Sequence, residues 1–126
     1  MRRLLLDTHV VLWWLSDDQR LDEGARRLIA NPANHAAVSA ASVWEMAIKS
    51  SIGKLSAPDG VEKAILACGF APLAITIEHA ARVGELPLHH RDPFDRMLIA
   101  QAQLEGLELL TADGRLGEYS VRVVVI

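Results

Sequence analysis

Four acidic residues of this sequence stand where their side chains could act together. They are Asp7, Glu45, Asp95 and Asp113. Asp7 and Asp113 each follow a short apolar run that predicts a buried strand, whereas Glu45 and Asp95 each lie near the start of a predicted helix. Where strands and helices alternate, such positions fall at the edge formed by the carboxyl ends of the strands. We therefore expect the four carboxylates to share one rim of the sheet.

Carboxylates gathered on one rim need a cation. Two unit charges about 4 Å apart repel each other by about 4 kcal/mol at an effective dielectric constant near 20. Helix N-termini offset only part of this repulsion, because each contributes about 0.3–1 kcal/mol. A divalent cation would remove the conflict, and ligation by carboxylates and water suits Mg²⁺ or Mn²⁺ better than zinc.

Each of these acids also has an ordinary structural alternative. Asp7 could cap the helix that follows it, and Asp113 could form an Asp-Gly turn with Gly114. Glu45 ends the stretch Ser42–Glu45, whose spacing matches a capping box, and Lys49 is placed for an ion pair one helical turn later. From the residues alone these roles stay open.

Two acids at the start of the helix predicted over residues 93–105 have different expected roles. Asp92 precedes Pro93 and is expected mainly to cap the helix. Asp95 shares an apolar stripe with Ile99 and Ala102 at the i+4 and i+7 positions. The more polar face is expected to carry Arg96, Ala100 and Gln103. An acid that merely interacts with solvent belongs on that other face, so Asp95 is the stronger functional candidate.

The elements that must position these acids alternate along the chain. Apolar runs predict strands over residues 4–6, 36–39, 107–111 and 120–126, with an edge strand at best over 70–75, because Pro72 lacks a donor. Helices are predicted over residues 10–15, 22–31, 41–51, 59–68, 76–83 and 93–105, with a turn over 112–117. We therefore expect an α/β fold, a three-layer α/β/α sandwich with a central parallel sheet, in one domain covering residues 1–126.

Composition limits the class of protein. The 126 residues are 51% hydrophobic and 23% charged, which is typical of a globular domain. The net charge of −3 gives no general attraction for a polyanion, so any contact with nucleic acid must be local. Asp7 ends the first apolar run too early for a secretory signal, and no stretch approaches the roughly 20 apolar residues of a membrane span. The single cysteine, Cys68, is expected to be a buried small hydrophobe in a reducing cytoplasm.

Four segments together carry a resemblance to a known family. They are residues 4–9 (LLLDTH), 42–49 (SVWEMAIK), 91–102 (RDPFDRMLIAQA) and 110–113 (LTAD). The chain resembles the PIN-domain ribonucleases over essentially its whole length, and among them the toxins of VapBC-type toxin–antitoxin pairs. All four acidic positions agree with the family pattern.

The resemblance implies an activity and partners. It implies a parallel sheet between helices and hydrolysis of RNA to products with a 5′-phosphate and a 3′-hydroxyl. One or two Mg²⁺ or Mn²⁺ ions would be held by Asp7, Asp95 and Asp113, with Glu45 binding through water or helping a second ion. Single-stranded or loop RNA is the expected substrate, since an exposed rim cannot open a duplex. A small VapB-like antitoxin and a homodimer are the expected assemblies.

Further residues could support the acids or contact substrate. Thr8 and Thr111 flank acids and could orient a ligand or a water, and the resemblance favours a supporting role for Thr111. Lys49 and Arg96 could touch substrate or form surface ion pairs. The cluster His89, His90 and Arg91 could meet RNA phosphates or lie in a solvated loop. Trp13 and Trp14 point about 100° apart on a helix, so one of them could serve an interface.

Two other classes also place acids at strand ends. A phospho-receiver domain needs an acidic pair at the first strand and a lysine late in the chain, whereas Asp7 has no acidic neighbour and the last strand region offers only Arg115 and Arg122. A phosphatase with an aspartyl nucleophile needs an acid two residues after Asp7, where His9 stands. An RNA-binding protein without turnover is the third alternative, and adding Mg²⁺ to bound RNA would distinguish it.

Overall fold

The centre of the protein is a sheet of five parallel strands. A computed structural model describes residues 1–126. The strands are β1 (Arg3–Leu6), β2 (His35–Ser39), β3 (Ala71–Leu73), β4 (Glu108–Thr111) and β5 (Val123–Val125). Their order in the sheet is β3-β2-β1-β4-β5, and each neighbouring pair is parallel. The short β3 at the edge contains Pro72, which agrees with the prediction of an edge strand.

Six α-helices connect and cover the strands. They are α1 (Thr8–Ser16), α2 (Glu23–Ala30), α3 (Ala40–Ser51), α4 (Val61–Ala67), α5 (Ile77–Val83) and α6 (Pro93–Glu105). A short 3₁₀ helix, Gly114–Glu118, lies where the sequence predicted a turn. The predicted fold class is confirmed. None of the helices is both long enough and apolar enough to span a membrane.

Alternate residues of β1 face two different helical layers. Leu4 and Leu6 belong to one buried apolar cluster, with residues of α1 and α2, whereas Leu5 belongs to a second cluster with Leu98 and Ile99 of α6. Successive side chains of a strand point to opposite faces, so a continuous leucine run fits only a sheet covered on both sides. β1 is therefore the central strand between the two cores.

Two predictions of burial are wrong. Cys68 is exposed, because it caps the end of α4, whose buried position is Ile65. Ala100, expected on the polar face of α6, is fully buried because it belongs to the second core cluster together with Leu5 of β1. The sequence left open whether one of Trp13 and Trp14 serves an interface. In the structure both pack against the first core as partly buried side chains.

The register of the strands aligns their carboxyl ends. Leu6, the last residue of β1, pairs with Val38 of β2 and with Leu110 of β4. The residues that follow each strand therefore emerge at the same edge of the sheet, which is where ligands bind in open α/β folds.

Candidate active site

Asp7 lies between β1 and α1 and is buried. One of its carboxylate oxygens, Oδ1, accepts the backbone N–H of Val10 at 3.2 Å, so the residue does cap the helix. The other oxygen, Oδ2, accepts a hydrogen bond from the hydroxyl of Thr111 at the end of β4. Thr111 therefore has the supporting position that the sequence suggested, and the carboxylate of Asp7 is fixed from two sides.

Glu45 reaches the same place from the second turn of α3. Its Oε1 accepts the hydroxyl of Thr8 at 2.6 Å, and its Oε2 pairs with the ammonium group of Lys49. The capping-box alternative is wrong, because α3 begins at Ala40 with Ser39 as its cap, so Glu45 is too far along the helix. The side chain of Glu45 is instead buried beside the start of α1.

The first turn of α6 brings two acids to the rim with different roles. Asp92 caps the helix, since its Oδ1 accepts the backbone N–H groups of Phe94 at 2.9 Å and Asp95 at 3.0 Å. Asp95 itself is three-quarters buried, with 23% of its side chain exposed. The predicted capping role of Asp92 agrees with these hydrogen bonds, and both acids line the cleft described below.

Asp113 follows β4 and begins the 3₁₀ helix. Its Oδ1 accepts the backbone N–H and the Nε–H of Arg115, both at 3.0 Å, and its Oδ2 accepts an Nη2–H at 2.8 Å. This guanidinium lowers the pKa of Asp113. The residue is thus a turn former, as one alternative held, and an ionised acid on the rim as well.

His90 joins the acids from the loop before α6. Its Nε2 lies 2.9 Å from Oδ2 of Asp95 and 3.7 Å from Oδ2 of Asp113. Its Nδ1 accepts the backbone N–H of Arg91, so Nε2 is the nitrogen that can donate to Asp95. The sequence singled out the cluster of residues 89–91 but could not choose among its members. His89 packs instead on Tyr119, and Arg91 is exposed.

These side chains line a cleft of about 230 Å³ that contains no apolar lining residue. Its walls are Asp7, Thr8, His9, Glu45, Lys49, His90, Asp92, Asp95, Asp113 and Arg115. All four predicted acids therefore meet in one place, with Thr8 and Lys49 beside them and Thr111 directly behind Asp7. Arg115 is a cleft residue that sequence reasoning did not assign, and its only signal was its place two residues after Asp113.

Burial disfavours the charged forms of two acids. Burial, together with the charges of Asp92 and Asp7, raises the pKa of Asp95 to about 7, while His90 lowers it. Burial also raises the pKa of Asp7, against the hydrogen bond from Thr111, which lowers it. Five acids line the cleft, and they outnumber its cations Lys49 and Arg115.

The cleft fits a divalent cation. His90, Asp95 and Asp113 each offer a ligand atom, and these atoms lie within 4.8 Å of one another. Most of the potential metal-ligand atoms around the cleft are carboxylate oxygens, which hard divalent cations prefer. A bound cation would remove the repulsion that raises the pKa of Asp95. The residues present thus suit a metal ion by both their chemistry and their charge.

Arg96 does not line the cleft, so its predicted contact with substrate has no support in the structure. Its guanidinium is turned under the loop that precedes α6. It donates, over 2.9–3.3 Å, to the carbonyl oxygens of Val83, Leu86, Pro87 and His90 and to the hydroxyl of Tyr119. Arg96 therefore fixes the loop that carries His90.

The chain is similar to known proteins over nearly its whole length. The family model of the PIN domain matches residues 4–121. Ribonuclease VapC22 of Mycobacterium tuberculosis is 32% identical over 123 residues, which are 92% of this chain and 91% of that protein. A chain of the VapBC2 complex of Rickettsia felis, bound to a promoter DNA fragment, matches with a TM-score of 0.71 and 13% identity, over 98% of each chain. A chain of a toxin–antitoxin complex from Klebsiella pneumoniae matches with a TM-score of 0.65 and 25% identity, over 97% of this chain and 96% of that one. The chain therefore belongs to the PIN-domain family, as a VapC-like member whose acidic residues meet at the carboxyl edge of its sheet.

Proposed function

We propose that this chain is a metal-dependent endoribonuclease that hydrolyses RNA phosphodiester bonds and acts as the toxin of a toxin–antitoxin pair. Residues 1–126 would form its single nuclease domain, working in the cytoplasm. The observation that carries the proposal is the meeting of Asp7, Glu45, Asp95 and Asp113 in a cleft without apolar walls. The name of the relative from M. tuberculosis supports RNA as the substrate.

Asp7, Asp95 and Asp113 would hold one or two Mg²⁺ or Mn²⁺ ions, and Glu45 would bind through water or help to hold a second ion. When bound, the metal polarises the phosphoryl oxygen, lowers the pKa of the attacking water and stabilises the leaving oxygen. The products would carry a 5′-phosphate and a 3′-hydroxyl.

The remaining residues of the cleft orient these acids. Thr111 holds Asp7 through its hydroxyl, while Thr8 and Lys49 hold the two oxygens of Glu45. Glu45 raises the pKa of Lys49, so this ammonium group stays charged at neutral pH and can face a phosphate of the substrate. Single-stranded RNA is the substrate that fits, because an open rim cannot separate a duplex.

Cleavage of RNA by the purified protein tests the proposal. A pool of single-stranded RNA should be cut in millimolar Mg²⁺ or Mn²⁺ and left intact in EDTA, and the new ends should carry a 5′-phosphate. Asp7→Asn is the inactive control, since it keeps the shape of the side chain. Cleavage that persists in EDTA, or none with any divalent metal, would contradict the proposal.

The antitoxin is supported by the solved chains of similar fold, which come from toxin–antitoxin complexes. A small antitoxin would cover the acidic rim and insert a basic side chain among its carboxylates. It should co-purify with the protein when both are expressed from the native operon, and it should stop RNA cleavage. A complex that cleaves RNA as fast as the free protein would rule out this mode of inhibition.

A homodimer is supported by an exposed apolar stripe along α3 and the residue that caps its end. Trp44 and Ile48 lie four residues apart on one face of the helix, and Ile52 is its C-cap; the three are 56%, 38% and 59% exposed. Such a stripe is typical of an interface between copies of a chain. Light scattering should give the mass of a dimer for the protein and of a monomer for Ile48→Lys. Equal masses would place the interface elsewhere.

A further inference from the structure

A second pocket adjoins the acidic cleft. It has a volume of about 360 Å³, within the range of about 300–1,000 Å³ that is usual for small-molecule sites. His9 lines both the cleft and this pocket, so the two lie on either side of one side chain. The pocket follows α1 from His9 to Ser16, about 10 Å at 1.5 Å per residue, and the chain after α3 forms its other wall. Nothing in the proposed chemistry of the acids uses this space.

Three flat side chains line the pocket. The imidazole of His9 and the indole of Trp13 have ring centroids 6.1 Å apart, with their planes tilted by 50°. The guanidinium of Arg20 lies over the Trp13 ring, 5.2 Å from its centroid, and is held there by two bonds to the carboxylate of Asp18. Aromatic rings and guanidinium planes are the surfaces on which proteins stack unpaired nucleobases.

The sign of the charge changes between the cleft and the pocket. The cleft is lined by five acids, whereas the pocket contains one acid, Asp18, together with Arg20 and Lys54. Lys54 forms no ion pair with any carboxylate of the protein. A free ammonium group beside a stacking surface suits the phosphate and base of one nucleotide.

We propose that this pocket binds one unpaired nucleotide of the RNA next to the scissile phosphate, with its base against Trp13 and Arg20 and its phosphate at Lys54. The inference rests on the proposed function, because it assumes that RNA lies in the acidic cleft. It adds a binding site for the base beside the cut. Trp13 and Lys54 would act on substrate binding, whereas the acids would act on the bond that breaks.

Substitution of Trp13 tests the stacking. Trp13→Leu keeps apolar contact with the core but removes the ring, and it should raise the KM for single-stranded RNA about ten-fold or more with little change in kcat. Sequencing of the cut ends from a randomised RNA pool should show that a modest base preference at one neighbouring position, set by stacking strength, is lost. Trp13→Phe should restore most of both. Trp14→Leu is the matched control, because Trp14 packs on Phe70 and does not line the pocket. Equal effects of the two leucine variants would overturn the proposal.

Substitution of Lys54 tests the phosphate contact. Lys54→Gln should raise KM for every RNA sequence alike and reduce the dependence of KM on salt. Lys63→Gln removes a lysine of α4 outside the pocket and should change neither. A Lys54→Gln variant with the salt dependence of the Lys63→Gln variant would contradict this part of the site.

Photochemical cross-linking separates failure of the pocket from failure of the proposed function. Single-stranded RNA that contains 5-iodouridine, mixed with the whole protein in EDTA, should cross-link to Trp13, and this result needs no cleavage. Cross-links without cleavage in any metal would keep the pocket and reject the nuclease. Cleavage with cross-links only elsewhere would keep the nuclease and reject the pocket. If Trp13→Leu leaves RNA binding intact but releases a co-expressed antitoxin, the pocket is a protein interface and the proposal is wrong.

Discussion

The two edges of the parallel sheet carry acids in opposite electrostatic situations. At the amino edge, Glu108 at the start of β4 accepts two hydrogen bonds from the guanidinium of Arg2, at 3.2 and 2.9 Å. This pairing lowers the pKa of Glu108. At the carboxyl edge, burial and neighbouring acids raise the pKa of Asp95 to about 7. The amino edge thus pairs its acid with an arginine, whereas the carboxyl edge gathers five acids around Lys49 and Arg115.

The surroundings of an acid, more than its presence, indicate its role. An acid that the fold pairs with arginine contributes structure, as Asp18 does with Arg20 in a bond that lowers the pKa of Asp18 to about 2. An acid that the fold buries among other acids carries a cost that folding alone does not explain. Asp113 combines both situations, since Arg115 keeps it ionised beside His90 and Asp95. The charged form of a carboxylate is the form that binds a metal.

Substitutions at the two edges should differ most in their effect on the rate of RNA cleavage. Asp95→Asn should lower RNA cleavage by at least about a hundred-fold, because even the groups that support metal ligands are worth about 10- to 100-fold. Glu108→Gln should leave the rate unchanged. The measurement is the initial rate of cleavage in millimolar Mg²⁺, with circular dichroism to show that each variant is folded. A folded Asp95→Asn protein with full activity would remove Asp95 from the site.

The hydroxyl of Thr111 should matter next. Thr111→Val keeps the shape but removes the hydrogen bond to Asp7, and it should weaken metal binding or activity by about 10- to 100-fold. Thr76→Val is the control, because Thr76 caps α5 and its loss should lower stability without changing the rate. Metal titration followed by cleavage rate measures both. Equal apparent metal affinity of parent and Thr111→Val would show that the hydroxyl does not support the site.

Without metal, removing an acid from the carboxyl edge should stabilise the fold. Asp95→Asn removes one of the charges that repel each other, so in EDTA it should stabilise the fold by about 1–3 kcal/mol and raise Tm by several degrees. In millimolar Mg²⁺ the difference in Tm between variant and parent should shrink or change sign. Only the parent keeps every metal ligand, so only the parent gains the full stability of binding the ion. Thermal melts in the two buffers decide this. If parent and variant respond equally to metal, the acids are ordinary caps and turn formers.

The gain in stability from Asp95→Asn in EDTA should depend on pH in a definite direction. The pKa of Asp95 in the folded chain, about 7, lies above its ordinary value of 3.8. Ionised Asp95 therefore destabilises the fold fully above pH 7, partly between these values and not at all below 3.8. In EDTA, the gain in Tm from Asp95→Asn should be largest near pH 8 and shrink steadily towards pH 4. A gain that does not change with pH would mean that Asp95 titrates as an exposed acid.

Local patterns were sufficient to predict the acids and the elements that carry them. The leucine run of β1 and the apolar stripe through Asp95, Ile99 and Ala102 each lie within a few residues, so the chain's own periodicity shows them. The rule that parallel strands end at one edge then brings Asp7 and Asp113 together. Neither step depends on knowing how distant segments pack.

The positions of His90 and Arg96 could not be predicted, because contacts between distant residues determine them. The backbone N–H of His90 donates to the hydroxyl of Tyr119 at 2.8 Å, across 29 residues of sequence. Arg96 holds the same loop through carbonyl oxygens as far back as Val83. The sequence alone favoured a solvated loop for the basic cluster at residues 89–91, and only the path of the loop shows that His90 faces the acids.

The smallest expected effect belongs to the amino edge and has the opposite dependence on pH. Because the pKa of Glu108 is lowered in the folded protein, its pairing stabilises the fold above the ordinary value of 4.5, and this contribution is lost as pH falls below it. Glu108→Gln should therefore lower Tm at pH 7 by at most about 2 °C, since the partner Arg2 is exposed. The decrease should vanish in acid, shrink at high salt and be identical in EDTA and in Mg²⁺. A response of this variant to metal would show that charge anywhere on the sheet affects metal-linked stability, and the contrast between the two edges would then fail.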